Sequence, residues 1–565
     1  MRGLPRPGAG VVIFLSLVFL LVFVPDGIEA QYDVPPPPAA WALEGVNLVH
    51  PDGTVDEGMT LVVRGGIIEA LAAGAAVPDD ARRIDWDEGT LHIYPGIIDA
   101  HGDVDLSLPT PDREGVESWS PTREVQFFTP HRVTGDFVRA NGQALERHRE
   151  RGIVASVVYP GRGIMPGQPS LVLHRPDART PRELILRESL GVAMAFQGAQ
   201  GAYPGTLMAQ HAFIRQVFLD AEHRVAHAAA FESDPAGMPV AHRDDDLEIV
   251  TAMAAGEIPV YFRANGAEEI RRVLALADEL GFAPVIVGGE GAGELAEELR
   301  DRDIMVLLNS RLPETDAWDP EDDEDELSPA AFRERQRLEP IYRTPALLAE
   351  HGVRFTFTTG GEGSADFLPG IRRAIEWGLD PDDALRALTA VPADFLGVPH
   401  LARVAEGHSA TFIVTDGPIF DEGRRVNWTF INGLVEEGAA PRTAGEAEEA
   451  AEGDLPASEL AGSWEGNLDV QGQSIPLRLE LEVDGDDISG EIVTADGPAT
   501  EIRNPSFDGS TLSFGVSAPE MGGMVIQFSG TLDGDTLAGS GSVDTPAGPM
   551  NLNFELRRMP GGELR

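Results

Sequence analysis

The rhythm of apolar positions changes along the chain, and each change marks a different set of expected elements. From Trp41 to about Thr90 short apolar runs alternate with turns, as where Thr60-Leu61-Val62-Val63-Arg64 passes through Gly65-Gly66 into Ile67-Ile68-Glu69-Ala70, a pattern of paired strands. A second patch of this texture returns far downstream, in Thr411-Phe412-Ile413-Val414 and in Trp428-Thr429-Phe430-Ile431 before Asn432-Gly433. Between the two, from Leu91 to about Pro399, apolar runs alternate with helical stretches. One run ends at Ala100, and the others are Ile153 to Tyr159, Val192 to Phe196, Ile258 to Phe262, Pro284 to Val287, Ile304 to Leu308 and Phe355 to Thr358. Helical period is clear in Ile270 to Leu280, Glu294 to Arg300, Ile371 to Trp377 and Pro381 to Leu388. Strand then helix, repeated about seven times, predicts an α/β fold closed as a parallel TIM-type barrel, its eighth strand not located by the pattern.

The two ends read differently. Glu436 to Leu460 is rich in Ala, Gly and Glu without hydrophobic period, and reads as a solvated linker. Beyond it Ile475 to Val483 alternates strictly, and the turn dipeptides Asp484-Gly485, Asp508-Gly509 and Asp533-Gly534 punctuate an all-β texture. The heptapeptide at 484–490 (Asp-Gly-Asp-Asp-Ile-Ser-Gly) returns at 533–539 as Asp-Gly-Asp-Thr-Leu-Ala-Gly. About eight strands of this kind predict a small meander barrel or sandwich, with Trp464 capping its end or touching a ligand. At the other end, Arg2 and Arg6, the apolar run Val11 to Val24 and the small, polar stretch Pro25 to Ala30 read as an export signal, with an uncleaved membrane tether as the alternative. Pro35 to Pro38 follow as a stiff spacer.

Composition narrows the chemistry. The 565 residues carry 93 acidic and 43 basic side chains, a formal charge of −50, and every basic residue is arginine. With no lysine and no cysteine, a Walker-type phosphate loop, a Schiff-base lysine, a carboxylated-lysine metal bridge, disulfides, thiolate zinc sites and thiol nucleophiles are all excluded. So acidic a surface argues against a nucleic-acid partner.

Tyr94-Pro95-Gly96-Ile97-Ile98-Asp99-Ala100-His101-Gly102-Asp103 resembles the signature that opens the barrel of the amidohydrolase superfamily. The resemblance continues in Glu150-Arg151-Gly152-Ile153-Val154-Ala155, in Ile164-Met165-Pro166-Gly167-Gln168, in the helix from Pro381 to Ala393 and in Glu406-Gly407-His408-Ser409-Ala410. It covers about residues 41–437 and is close to the secreted, imidazolonepropionase-like branch, on the strength of Tyr203-Pro204-Gly205-Thr206-Leu207-Met208 before a helix at Ile214 to Ala221. It implies a (β/α)8 barrel over 93–399 and a composite β-sandwich from 41–92 and 400–437. An export signal (1–30), a spacer (31–40), a linker (438–460) and a C-terminal β domain (461–565) complete the expected layout.

The resemblance also implies hydrolysis of a carbon–nitrogen bond in a cyclic amide, dipeptide or related small substrate, through a divalent, zinc-like metal that activates water. Its ligands would be a His-x-His on the first strand, histidines on the fifth and sixth, and an aspartate on the last. In this chain His101 stands but the second histidine is Asp103; Arg263 holds the fifth-strand position, Gly288 or Gly289 the sixth, and Gly360 the last. Arginine, always protonated, offers no lone pair. Two readings follow. In one, His101 and Asp103 hold a metal, and Glu290 or Glu362 activates water, with Asp105 as a further nearby acid. In the other, the barrel is a metal-free pseudoenzyme that binds a ligand or stabilises a partner, as a homo-oligomer or beside an active relative, with Arg263 paired to Asp103 in the former metal site. His223 and His227, four apart on an expected helix, form a lesser metal candidate, and the acidic stretch Glu314 to Glu326 reads as a solvated loop.

Overall fold

The computed structural model describes residues 40–438 except 85, 87–90, 114, 141, 199–200, 241–242, 314–317, 319–326, 362–366 and 422. It further describes 460–559 except 471–472, 485–486, 495–498, 508–510, 519–523, 534–535 and 546–547. The expected export signal, most of the spacer and the linker, nearly all of the acidic stretch, and Glu362 lie outside the described residues. The chain forms two compact units, the first ending at Ala439 and the second beginning at Ala440. No helix among the described residues is long and apolar enough to cross a membrane.

In the first unit, strands from both flanks of the chain meet in one sheet. β1 (Trp41–Val49), β2 (Val55–Arg64), β3 (Ile67–Ala73), the two-residue β4 (Arg82–Arg83) and β5 (His92–Pro95) come from the leading flank. β15 (Phe412–Thr415), β16 (Val426–Ile431) and β17 (Leu434–Glu437) come from the trailing one, and β15 joins the sheet by pairing antiparallel with β5. The expected composite β-sandwich takes the form of one eight-stranded sheet. It folds back on itself: Ile68 N donates to His408 O at 2.9 Å and Gly407 N to Ile68 O at 2.8 Å. Leu43, Leu61, Ile93, Phe412 and Phe430 fill the core so enclosed.

Between the flanks lie β6 (Ile97–Gly102), β7 (Ile153–Val158), β8 (Ser170–Leu173), β9 (Ile185–Arg187), β10 (Val192–Ala195), β11 (Val260–Ala264), β12 (Pro284–Gly288), β13 (Val306–Asn309) and β14 (Phe355–Thr358). β10 to β14 form one parallel sheet in chain order. Every residue of β7, β10 and β14 is buried, as strands covered on both faces require. The helix Ala267–Leu280 separates β11 from β12, and the helix Pro381–Leu388 follows β14. The first buries Ile270, Val273, Leu274 and Ala277 and stops at Gly281, whose φ of 82° favours glycine. The second starts at Asp380, whose side chain accepts from Asp382 N, with Pro381 in the first turn.

The expected continuous eight-stranded ladder is not what forms. β6 and β7 are parallel, but β8 returns antiparallel to β7 and β9 antiparallel to β8, so these four make a separate sheet. The two sheets meet on both sides through a few bonds. Ala193 N donates to Gly167 O (2.9 Å) and Ala195 N to Ile164 O (3.2 Å) on one side; on the other, Gly361 N donates to His101 O (2.8 Å). The place of the unlocated eighth strand is taken by the chain from Ile164 to Leu173, running antiparallel to both neighbours.

The second unit is a closed barrel of eight antiparallel strands from Gly462 to Arg558, first strand paired with last. In both copies of the internal repeat the flanking strands pair, Asp484 opposite Asp487 and Asp533 opposite Thr536. Trp464 is fully buried; its Nε1 donates to Leu460 O at 2.9 Å and the Arg558 guanidinium stacks 4.4 Å from its ring. Leucines and phenylalanines fill this barrel, and Trp464 is part of that core rather than a ligand contact.

Candidate functional site

β6, β7, β11, β12 and β14 end on one side of the unit, where parallel-barrel folds place their chemistry. A cavity of about 260 Å³ opens there, lined by His101, Asp103, Tyr159, Arg162, Arg263 and Gly361 among others. The structure thus brings together three of the expected site residues, His101, Asp103 and Arg263. Glu290 does not line the cavity; its carbonyl accepts from Thr344 Oγ1 at 2.8 Å in the helix Pro329–Glu350. His223 and His227 stand on the helix Leu207–Ser233 with ring centroids 6.4 Å apart, away from the cavity lining.

His101 is 6% exposed and packs against Tyr159, ring centroids 4.2 Å apart. Burial, reinforced by the positive charge of Arg263, lowers its pKa to about 3. Its imidazole is therefore neutral across the physiological range and too weak a base to accept a proton from water efficiently. Burial holds the Tyr159 hydroxyl far above its usual pKa, so that residue stays protonated.

Asp103 has its partners on a neighbouring helix. It pairs with His148 from the helix Gln143–Glu150: Nε2 of His148 donates to the Asp103 carbonyl at 2.7 Å and stands 2.8 Å from Oδ1, a charge contact rather than a second aligned hydrogen bond. Arg147 lies 4.0 Å from the other carboxylate oxygen. Burial pushes Asp103 upward, but His148 outweighs it and holds the carboxyl below its usual pKa. His148 is raised in turn: burial opposes its charge, and Asp103 together with nearby Asp99 overcomes that penalty. A pair with both partners ionised results.

Asp99, fully buried, was not singled out by the sequence. It accepts from His101 N (2.9 Å), Thr359 N (3.2 Å) and Thr359 Oγ1 (2.7 Å). Burial raises its pKa, against the opposing pull of His148 and these donors. The interaction clasps the end of β14 to β6. Asp99 shares the parity of His101 along a strand, a signal that could have marked it; Tyr159, last residue of its apolar run, was visible as a strand-end position.

A zinc-like metal needs three protein ligands, and the donor set does not fit one. Among the described residues no three His, Asp or Glu side chains converge. The Asp103 carboxylate is engaged by His148, and Arg263 repels a cation. Gly288, where the resemblance places a histidine, has φ of 110°, and a Cβ there would stand 1.9 Å from Asn265 Oδ1. Gly361 covers the imidazole of His101, its hypothetical Cβ 3.2 Å from Nε2. The pairing of His101 with Asp103 as metal ligands is thus not supported by the geometry.

Residues 331–437 match the amidohydrolase family, a stretch running from the helix after β13 to β17. Among solved structures, the chain is similar to an amidohydrolase from Thermotoga maritima, with 22% identity over 70% of this chain and 100% of that one and a TM-score of 0.55. It is also similar to a prolidase solved with N-methylphosphonate-L-proline (17% identity, 71% and 100% covered, TM-score 0.44). A β-aspartyl dipeptidase from Fervidobacterium islandicum is a further match (13% identity, 72% and 98% covered, TM-score 0.36). No curated protein matches the chain. The Thermotoga maritima likeness shows the fold, that of an amidohydrolase.

Proposed function

We propose that the first unit hydrolyses a carbon–nitrogen bond of a small substrate bound in the cavity beside His101. The observation that carries this reading is the cavity itself: it opens at the strand ends of an amidohydrolase fold, between the family's first-strand histidine and the final-strand turn at Gly360 and Gly361. Arg263 supplies positive charge where negative charge develops on the attacked carbonyl oxygen, and Tyr159 supplies a hydroxyl that stays protonated. The base in this reading is Glu362, which follows the cavity residue Gly361 in the chain. A panel of dipeptides, N-acyl amino acids and cyclic amides tests it: at least one is turned over, and Glu362→Gln slows that turnover by roughly a hundredfold or more.

A second reading, a ligand-binding or partner-stabilising barrel without turnover, is favoured by the engagement of Asp103 with His148 and by the glycines at former ligand positions. Ligand binding without turnover across the panel establishes it. We also propose an affinity with the secreted, imidazolonepropionase-like branch, supported by Tyr203 to Met208 leading into a helix capped by Thr206, and export directed by the first 30 residues. Fractionating cells that express the full chain tests the latter.

A further inference from the structure

A second cavity, of about 390 Å³, opens beside the antiparallel strands β8 and β9 and shares no lining residue with the one beside His101. Its size falls within the roughly 300–1,000 Å³ of small-molecule sites. Two short helical turns, Thr134–Phe137 and Pro181–Glu183, supply its walls together with β9. The frame is fixed from within by Ser170 of β8, which is wholly buried. Its hydroxyl accepts from Gly135 N at 2.8 Å and donates to Glu188 O at 2.6 Å, so that one side chain holds two parts of the lining together. Gly135 permits the close approach: a Cβ there would stand 3.0 Å from Ile185 Cδ1 and 3.1 Å from Ser170 Oγ.

Three ionised side chains line this cavity: Asp136, Arg182 and Glu188, all exposed. Opposite charges that border one space ordinarily pair, yet among the described residues none of the three side chains takes part in an ion pair or hydrogen bond. Val133 and Ile185, half-buried, add apolar surface to the same lining. We propose that the cavity binds a free α-amino acid with an apolar side chain, its carboxylate on Arg182, its ammonium on Asp136 and Glu188, and its side chain on Val133 and Ile185. A zwitterion meets both signs of charge at once, whereas a lone anion or cation leaves one sign unmatched. The planar fork of arginine takes a carboxylate through two parallel hydrogen bonds, and an ammonium group has three donors to divide between two carboxylates. Because the three charges are exposed, each contact adds little, and the affinity is modest. The inference stands apart from the hydrolase reading and uses none of its residues.

Saturation-transfer NMR titrations of the full chain with L-leucine, N-acetyl-L-leucine, L-leucinamide and glycine test the proposal, since the two capped compounds each lack one charge and glycine lacks the side chain. L-leucine should bind at least about fivefold more tightly than either capped compound, and more tightly than glycine. Arg182→Gln should erase the margin over L-leucinamide, and Asp136→Asn combined with Glu188→Gln the margin over N-acetyl-L-leucine. Circular dichroism establishes that the variants are folded; should one fail to fold, the other variant and the wild-type comparison decide. No saturable binding of L-leucine, equal binding of L-leucine and either capped compound, or margins unchanged in a folded variant overturns the proposal. Leucine binding that the variants weaken, without turnover of any amide, keeps this site and removes the hydrolase reading, whereas turnover without leucine binding does the reverse.

Discussion

Thr359→Val replaces a hydroxyl with a methyl of nearly the same size, at the bond that holds the end of β14 to β6. Asp99 is fully buried and has three donors within 3.2 Å; the substitution removes the shortest, at 2.7 Å, and leaves the two backbone N–H groups. A hydrogen bond to a buried charged group contributes about 1.5–3 kcal/mol, and urea denaturation of the full chain should show a loss of that order in the transition of the first unit. The sign with pH follows from Asp99. Its pKa in the folded protein is already raised, chiefly by burial, so its contribution is most favourable below the unfolded value of about 4 and falls as pH rises through the folded one. Losing a donor raises the folded pKa further. The deficit of Thr359→Val should therefore be small near pH 4 and grow as the pH rises and Asp99 ionises, and Thr359→Ser should restore wild-type behaviour. A deficit under about 0.5 kcal/mol at neutral pH, within the range of ordinary surface substitutions, would refute the clasp; so would one equal in acid.

The other expectations are briefer. Because burial lowers His101 to about 3, its contribution to stability is complete above the unfolded value of about 6.5 and is lost at roughly 1.4 kcal/mol per pH unit as the pH falls toward 3; His101→Gln should take up about one proton fewer on acid unfolding, and unchanged proton uptake would count against burial of a neutral ring. Asp103→Asn leaves His148 charged, buried and without its partner carboxylate, which should cost on the order of 2–3 kcal/mol at neutral pH, reduced from the fully buried case by the partial exposure of Asp103. Since the His148 pKa is raised, the stability it contributes is present below about pH 6.5 and lost as pH rises through its folded value, and that dependence should weaken in the variant. In the second unit, Trp464→Ala should cost about 3–5 kcal/mol in the melting of the β barrel, as loss of a core tryptophan does; a cost below 1 kcal/mol would return Trp464 to the rim.

Much of the fold was legible because its local rules are strong. The run Phe355 to Thr358 is a strand over those four residues, and the helix Pro381–Leu388 has the bounds that Asp380 and Pro381 announce. The β11 run was placed two residues early, since Ile258 is as apolar as the strand's own residues and periodicity alone does not end a short run. Direction was the harder matter. Ser170-Leu171-Val172-Leu173 carries no mark of running against β7 rather than with it, and that reversal divides the expected ladder into two sheets. At the site, His101, Asp103 and Arg263 came to light from motif positions. Their partners did not, because His148 lies 45 residues from Asp103 and Thr359 lies 260 from Asp99, separations that no local pattern spans. The expectation for Asp103 rested on opposite charge alone and did not include His148, which the helix Gln143–Glu150 brings to 2.8 Å.

With Arg263, Gly288 and Gly360 at the positions where the resemblance places ligands, the mouth of this amidohydrolase fold is expected to hold no catalytic metal. Elemental analysis of the full-length protein, purified without chelator and compared with His101→Ala, measures that directly. Well under one equivalent of zinc or any other divalent metal is expected in the wild type, with no difference in the variant. About one equivalent in the wild type, lost on His101→Ala, would contradict it.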